Sequence, residues 1–412
     1  MWTEQAYERK GGLSSALVED PSADGEIASA SGAFLHTFSG RRLLDFSSGG
    51  LIYQHPVLVE ELKKGLQQMS LSGRMFFSAP LAALVNRLSA VVPGGRAVVY
   101  PCNSSAEAME GALKLALGFH KGRRNKIVGV SGSCQGNTLG ALSISGISDV
   151  TDHFDWLPLN AASVAFGQKM EMIEAIDASV AAVVIEPMLL SGTFQLLPKG
   201  YLKEIRNACL RHGALLIVNE SFTGFGRLGH WFSWQAEDAV PDILVTGNVL
   251  GGNIFPYGAY IAKGHINSAV YKRKDPALHG ATTAGFPMGC VIACKVLDLL
   301  EADRLSGAPV HRERLLSQGL AKIQSRRPEI VRQVLVQGLA GGIRFYEAGM
   351  ANIFFHHAAR EGVLLHNCDA RTAGSEWLAV FPPLLASEKE IAEGMALLDQ
   401  CLSTLCQTSP IL

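Results

Sequence analysis

The run Ala214-Leu-Leu-Ile-Val218-Asn219-Glu220-Ser221-Phe222-Thr-Gly-Phe-Gly-Arg227, with Pro241-Asp-Ile-Leu-Val-Thr-Gly247-Asn248-Val-Leu-Gly-Gly252 close behind it, decides the architecture of this chain. Ala214 to Val218 is apolar at every position, without the alternation of a strand that has one face in water. Upstream, Ala97-Val-Val-Tyr, Lys126-Ile-Val-Gly-Val and Ala181-Ala-Val-Val-Ile-Glu186 repeat the pattern. Helical periodicity separates them, from Ser105 and from Gly200. Such strands are covered on both faces, which predicts an α/β fold with a mostly parallel, doubly wound central sheet.

Outward from that core, residues 76–305 form the expected large domain. Residues 1–75 and 306–412 mix short strands with helices and are expected to pair as a small α+β domain built from both termini. The chain has 412 residues, 48% of them hydrophobic and 18% charged, with a net charge of −1. That balance leaves no basic footprint for nucleic acid and no charge for an anionic membrane. The N-terminus lacks the apolar segment of a signal peptide, and no apolar run approaches membrane-spanning length, so a cytoplasmic location is expected. Eight cysteines without a CxxC pair suggest neither a disulfide framework nor a metal site. Cys290 and Cys294 read as small buried hydrophobes on a helix. His356-His357 reads as an ordinary helical pair.

The segment Pro101-Cys-Asn-Ser104-Ser105-Ala106-Glu107 places small polar residues where a strand passes into a helix. Free backbone N–H groups there suit a phosphate. A plain capping box, Ser104 with Glu107, would satisfy some of the same donors internally.

Taken together, these motifs resemble the class III aminotransferases of the ornithine, acetylornithine and omega-amino-acid type, which are fold type I enzymes using pyridoxal phosphate. The resemblance spans nearly the whole chain: Phe76-Phe-Ser-Ala-Pro80, Pro93-Gly-Gly, Thr138-Leu-Gly-Ala-Leu-Ser, Glu186-Pro187, Pro198-Lys-Gly-Tyr-Leu202, Tyr257-Gly-Ala-Tyr-Ile-Ala, His279-Gly-Ala-Thr282 and Phe381-Pro-Pro-Leu. It implies a phosphate cup at Ser104, Ser105 and Ala106, completed by Thr282 across a two-fold interface. It also marks departures. Asn248 stands where the family's Schiff-base lysine is expected, and Asn219 where its aspartate holds the pyridine nitrogen protonated. An amide nitrogen is not a nucleophilic amine and carries no counter-charge. Cys134, in Ser133-Cys134-Gln135-Gly136, takes the place of the ring-stacking aromatic residue before a His-Gly pair. Ser221 and Phe222 replace a valine and a glutamine on the other face. Leu189, Ser191 and Ala379 stand near positions where substrate-side polar groups are implied.

Because these changes surround one ligand, the leading expectation is a repurposed, pyridoxal-phosphate-independent biosynthetic enzyme working on a small molecule in the old cleft. Cys134, Glu220, His279, Asn219 and Asn248 are expected to border it. A cysteine beside a histidine would suit acyl transfer or condensation, with the amides serving an oxyanion. No covalently bound cofactor is expected, and pyridoxal phosphate or pyridoxamine phosphate is the less expected occupant. The competing readings are a non-catalytic subunit completing a lysine-bearing homologue's site and a residual transaminase. A homodimer, or a heterodimer with such a homologue, is the expected assembly.

Overall fold

The computed structural model describes residues 27–68, 77–93, 97–147, 154, 157–271, 279–368 and 374–408. Phe76 and the Gly94-Gly95 pair of the sequence pattern lie outside these residues. The chain divides into two units, His55–Pro309 and Met1–Gln54 with Val310–Leu412.

Three strands come first, β1 (Ile27–Ser31), β2 (Phe34–Thr37) and β3 (Arg42–Phe46). The larger unit then contributes β4 (Ala97–Cys102), β5 (Lys126–Val130), β6 (Asn160–Val164), β7 (Val180–Ile185), β8 (Met188–Leu189), β9 (Gln195–Leu196), β10 (Leu215–Asn219), β11 (Ile243–Thr246) and β12 (Gly258–Lys263). Last are β13 (Val331–Gln337), β14 (Ala340–Phe345), β15 (Val363–Asn367) and β16 (Trp377–Val380).

In the larger unit a seven-stranded sheet runs in the order β4-β12-β11-β10-β7-β5-β6. Strands β6, β5, β7, β10 and β11 pair in parallel, and β12 alone runs against its neighbours. Every residue of β7, β10 and β11 is buried, as the unbroken apolar runs require. The Ser105–Phe119 helix buries Ala108, Ala112, Leu113, Leu115 and Ala116 in a cluster with Ile127, Val184, Ile217, Val245 and Tyr260. Each aliphatic side chain of leucine or valine size contributes about 1.5–3 kcal/mol by leaving water. Gly213, in the left-handed region at φ 68°, ends the Tyr201–His212 helix and returns the Cys209 and Leu210 carbonyls a donor before β10 starts.

The edge of this sheet at the N-terminal end of β11 is tied by charge. Asp242 takes Arg206 at 2.5 Å, Lys263 at 2.9 Å and the Leu216 amide at 2.9 Å. Lys263 is thereby committed at the edge opposite to Asn248.

The smaller unit holds a second seven-stranded sheet, β1-β2-β3-β15-β16-β14-β13, in which β15 joins β3 in parallel with Val363 opposite Leu44. The N- and C-terminal segments therefore share one sheet. Glu390 in the Glu388–Thr408 helix ties them further, accepting from the Ser387 amide at 2.7 Å and the Ala33 amide at 3.0 Å. Among the described residues no helix is long and apolar enough to cross a membrane.

Candidate functional site

Parallel strands all end at the same sheet edge, and in open α/β sheets ligands bind outside those carboxyl ends. Here that edge collects Cys102 with Ser104-Ser105-Ala106 after β4, Cys134-Gln135 after β5, Glu186 after β7, Asn219 at the end of β10 and Asn248 just past β11. The antiparallel β12 brings its first residue, Gly258, to the same edge, where its Cα partner is Cys102.

The Ser105–Phe119 helix opens here. Ser104 is its N-cap and accepts from the Glu107 amide at 3.1 Å. A reciprocal capping box does not close, because the Glu107 carboxylate accepts instead from the Asn103 amide at 3.0 Å and the Asn103 side chain at 3.1 Å. The first-turn amides of Ser105 and Ala106 have no intrahelical acceptor, which leaves them for an anion. Backbone approaches them closely from two sides. A Cβ on Gly258 would stand 2.4 Å from the Ser104 carbonyl oxygen, and one on Gly247 would stand 2.7 Å from the Ser105 Cβ. The result is a cradle of helix N-terminus and glycine backbone.

Asn248 follows Gly247 with an exposed side chain and φ 43°, in the left-handed region that asparagine tolerates better than most residues. It offers a neutral amide. Asn219 is only 6% exposed and fully engaged at its oxygen: Oδ1 accepts from the Ser221 amide at 3.1 Å and the Ser221 hydroxyl at 2.6 Å. Its Nδ2 donates to Gln135 Oε1 at 2.9 Å and lies 3.5 Å from the Cys134 carbonyl. The Cys134 amide reaches the two Glu186 carboxyl oxygens at 3.2 and 3.3 Å. Burial pushes that carboxyl up to about 8, so it carries its proton at neutral pH. Among the described residues, buried polar atoms near this edge without a protein partner include Gln135 Nε2, Ser133 Oγ, Thr246 Oγ1 and, in the first helical turn, Glu107 Oε1. Buried polar groups ordinarily find one.

Ser104, Ser105, Ala106, Cys134, Asn219, Ser221 and Asn248 are thus brought to one edge, with half-buried Phe222 following Ser221. Two expected pocket residues belong elsewhere. Glu220 points to the opposite side from Asn219, as alternation along an extended chain dictates. Its fully buried carboxylate accepts from the Thr223 hydroxyl at 2.6 Å, from the Ser233 amide and hydroxyl at 2.6 and 3.0 Å, and from the Trp234 amide at 3.3 Å. Burial still pushes it up to about 7. It closes the 220–234 loop.

His279 likewise does not pair with Cys134. Its carbonyl accepts from the Tyr100 hydroxyl, its ring lies 5.1 Å from that of Tyr100 and 5.9 Å from that of Tyr260, and Gly111 leaves it room. The thiol beside it is Cys102, which with Glu107 and His279 places three ligand-type atoms within 4.8 Å. Burial pushes that thiol up and the imidazole down, and the thiol donates to the Tyr100 carbonyl at 3.6 Å instead of to the ring. Thr282 is exposed, while its neighbour Thr283 donates to Asn103 Oδ1 at 2.9 Å.

Sequence reasoning passed over Gln135 and Glu186. A polar residue directly following a buried strand was the available signal for Glu186. For Gln135 no local signal pointed to its contact with Asn219, 84 positions away.

The family model for aminotransferase class III matches residues 19–402. Curated relatives include an acetylornithine aminotransferase of Neisseria meningitidis serogroup B, 31% identical over 92% of this chain and 95% of its own length. Another is the acetylornithine aminotransferase of Methanopyrus kandleri, 28% identical over 90% of this chain and 92% of its own. Among solved structures, the ornithine aminotransferase of Toxoplasma gondii ME49 superposes with a TM-score of 0.86 at 22% identity, covering 98% of this chain and 96% of the other.

These matches correct one expectation. Class III aminotransferases depend on pyridoxal phosphate, so a family match over almost the whole chain points to that cofactor and overturns the view of it as the less expected occupant. The local geometry agrees: the Ser105-Ala106 cradle fits a phosphate, the orphaned donors fit a ring with acceptor atoms, and only a covalent link to the amide of Asn248 does not fit.

Proposed function

Because the chain belongs to the class III aminotransferase family, we propose that it binds pyridoxal phosphate at the carboxyl edge of its parallel strands without a covalent link, as a dissociable cofactor. The observation that carries this reading is Asn248: a neutral amide at the expected lysine position, set beside an otherwise suitable phosphate cradle. The Ser105 and Ala106 amides hold the phosphate, and Asn219 meets the edge of the ring. When bound, pyridoxal phosphate supplies an aldehyde that can take up an amino group and a ring that draws electrons from it. Asn248 can neither anchor that aldehyde nor move a proton. Of the nearby groups, Glu186 holds a proton on its carboxyl at neutral pH, and Asn219 adds no charge. Turnover of amino groups is therefore slow, and the ligands are small molecules bearing an amine or a carbonyl. A cytoplasmic homodimer goes with this reading. The exposed side chain of Thr282 favours one other, a subunit that completes the site of a lysine-bearing homologue, and stable co-purification with such a protein would support it.

Titration of the purified protein with pyridoxal phosphate tests the proposal. The wild type should bind it with a change in absorbance, release it on dialysis, and retain none on the chain after borohydride treatment. Asn248→Lys should retain it after borohydride, despite a backbone cost of about 1–2 kcal/mol for lysine at positive φ, while amino transfer stays near the wild-type level. Absence of any wild-type binding, or borohydride-stable cofactor in the wild type, refutes it.

A further inference from the structure

Asn219 and Gln135 constrain each other in a way that determines what a bound ring meets. The Ser221 backbone amide can only donate, so it fixes the Asn219 side chain with Oδ1 toward residue 221 and Nδ2 away from it. Nδ2 donates to Gln135 Oε1 at 2.9 Å, which in turn fixes the Gln135 amide and leaves its Nε2, buried, with no protein acceptor. Gln135 is 3% exposed and Asn219 is 6% exposed, so water offers little substitute. The pair therefore has its oxygens occupied and both hydrogens of Gln135 Nε2 unspent, while the second hydrogen of Asn219 Nδ2 makes a long, weak bond of 3.5 Å to the Cys134 carbonyl. Among the described residues no carboxylate hydrogen-bonds to either amide. The Glu186 carboxyl is held by the Cys134 amide and is protonated at neutral pH, and the Glu220 carboxylate is spent on residues 223, 233 and 234.

We infer that Asn219 and Gln135 form a charge-free amide clamp that recognises an acceptor atom on a ring edge, and that it holds the pyridine nitrogen of bound pyridoxal phosphate unprotonated. This rests on the cofactor reading given above. A donor amide stabilises a nitrogen lone pair, whereas a pyridinium N–H facing Nδ2 would set two donors together without a counter-charge. An unprotonated ring draws electrons more weakly, which slows proton removal from the carbon bearing an amino group. Gln135 acts as a positioning residue: its Oε1 accepts from Asn219 Nδ2 and holds that amide in place.

The test uses pyridoxal phosphate labelled with 15N in the ring, added to the full-length wild-type protein. The bound resonance should sit at the unprotonated position and stay there through the neutral pH range. In Asn219→Asp it should move to the protonated position, because Gln135 can turn its amide to donate to the new carboxylate, and the cofactor should bind about tenfold tighter through a charge-assisted bond. A wild-type spectrum with the bound nitrogen protonated overturns the clamp and leaves the cofactor reading standing. A spectrum showing only free cofactor at saturating protein overturns both. The wild-type measurement decides even if the aspartate variant does not fold.

Discussion

Replacing Gly258 by alanine inserts one methyl group where β12 passes the start of the Ser105–Phe119 helix. That carbon would stand 2.4 Å from the Ser104 carbonyl oxygen, 2.5 Å from its carbon and 2.8 Å from the Ser105 nitrogen. The closest of these is roughly 1 Å short of ordinary contact, and all three atoms are backbone, so no side chain can rotate to make room. Either β12 slips against β4, breaking the Gly258–Cys102 register, or the helix start is pushed outward. Overpacking of this kind costs about 1–3 kcal/mol, a fall of roughly 2–10 °C in Tm for a unit of this size. The displaced atoms include the amide that would face a phosphate, so pyridoxal phosphate affinity should fall with stability. Gly349→Ala is the control: its Cβ meets nothing within 4 Å and lies in a helix, where alanine is favoured. Thermal unfolding with and without pyridoxal phosphate reads both effects. If Gly258→Ala melts with the wild type and binds the cofactor equally well, the cradle is misplaced.

Two further predictions concern buried carboxyls. Glu186 has a folded value near 8 against an ordinary 4.5, raised by burial, so its contribution to stability is full below the ordinary value and is lost as pH rises toward 8. Glu186→Gln keeps an acceptor for the Cys134 amide. It should therefore melt above the wild type at about pH 9 and close to it at about pH 5; an equal gap at both would contradict the assignment. Asp242 shows the opposite sign: burial pushes it up, but Arg206 and Lys263 more than offset this and hold it below the usual range. Its contribution is present above that range and is lost as pH falls through the lowered value. Asp242→Asn should cost about 3–5 kcal/mol near neutrality and progressively less in acid, measured by denaturant titration. A pH-independent cost would sink the ion-pair account.

The sheet was legible because burial on both faces leaves an unmistakable composition, from Ala181–Ile185 to Leu215–Val218, and strand ends are then marked by the first polar residue. That located Asn219, Asn248 and the Ser104-Ser105 helix start. Assigning direction was harder. Glu220 was grouped with Asn219 because they are adjacent, although neighbours on an extended chain face opposite sides, and four donors from the 223–234 loop claim it. The pairing of His279 with Cys102 instead of Cys134 depends on which strand lies beneath the 279–283 loop, a non-local fact that no spacing encodes. The helix expected to carry Cys290 and Cys294 begins at Pro287, whose ring presets the first helical turn. The Asn219–Gln135 contact joins residues 84 positions apart and appears only once β5 and β10 are both placed, separated by β7.

The joining of β3 to β15 bears on how the chain is made. On one side Leu44 pairs with Phe34 of β2, but its partner on the other side is Val363, and a ribosome adding about 5–20 residues per second reaches that partner roughly 15–60 s later. Throughout that interval β1 to β3 have one edge of main-chain donors and acceptors unclaimed, open to a neighbouring nascent chain. His55–Pro309, complete well before then, can collapse around its own sheet. Crowded translation should thus endanger the terminal sheet first, and a chaperone that shields the strands ending at Phe46 would raise the yield of native protein more than one acting on the parallel core.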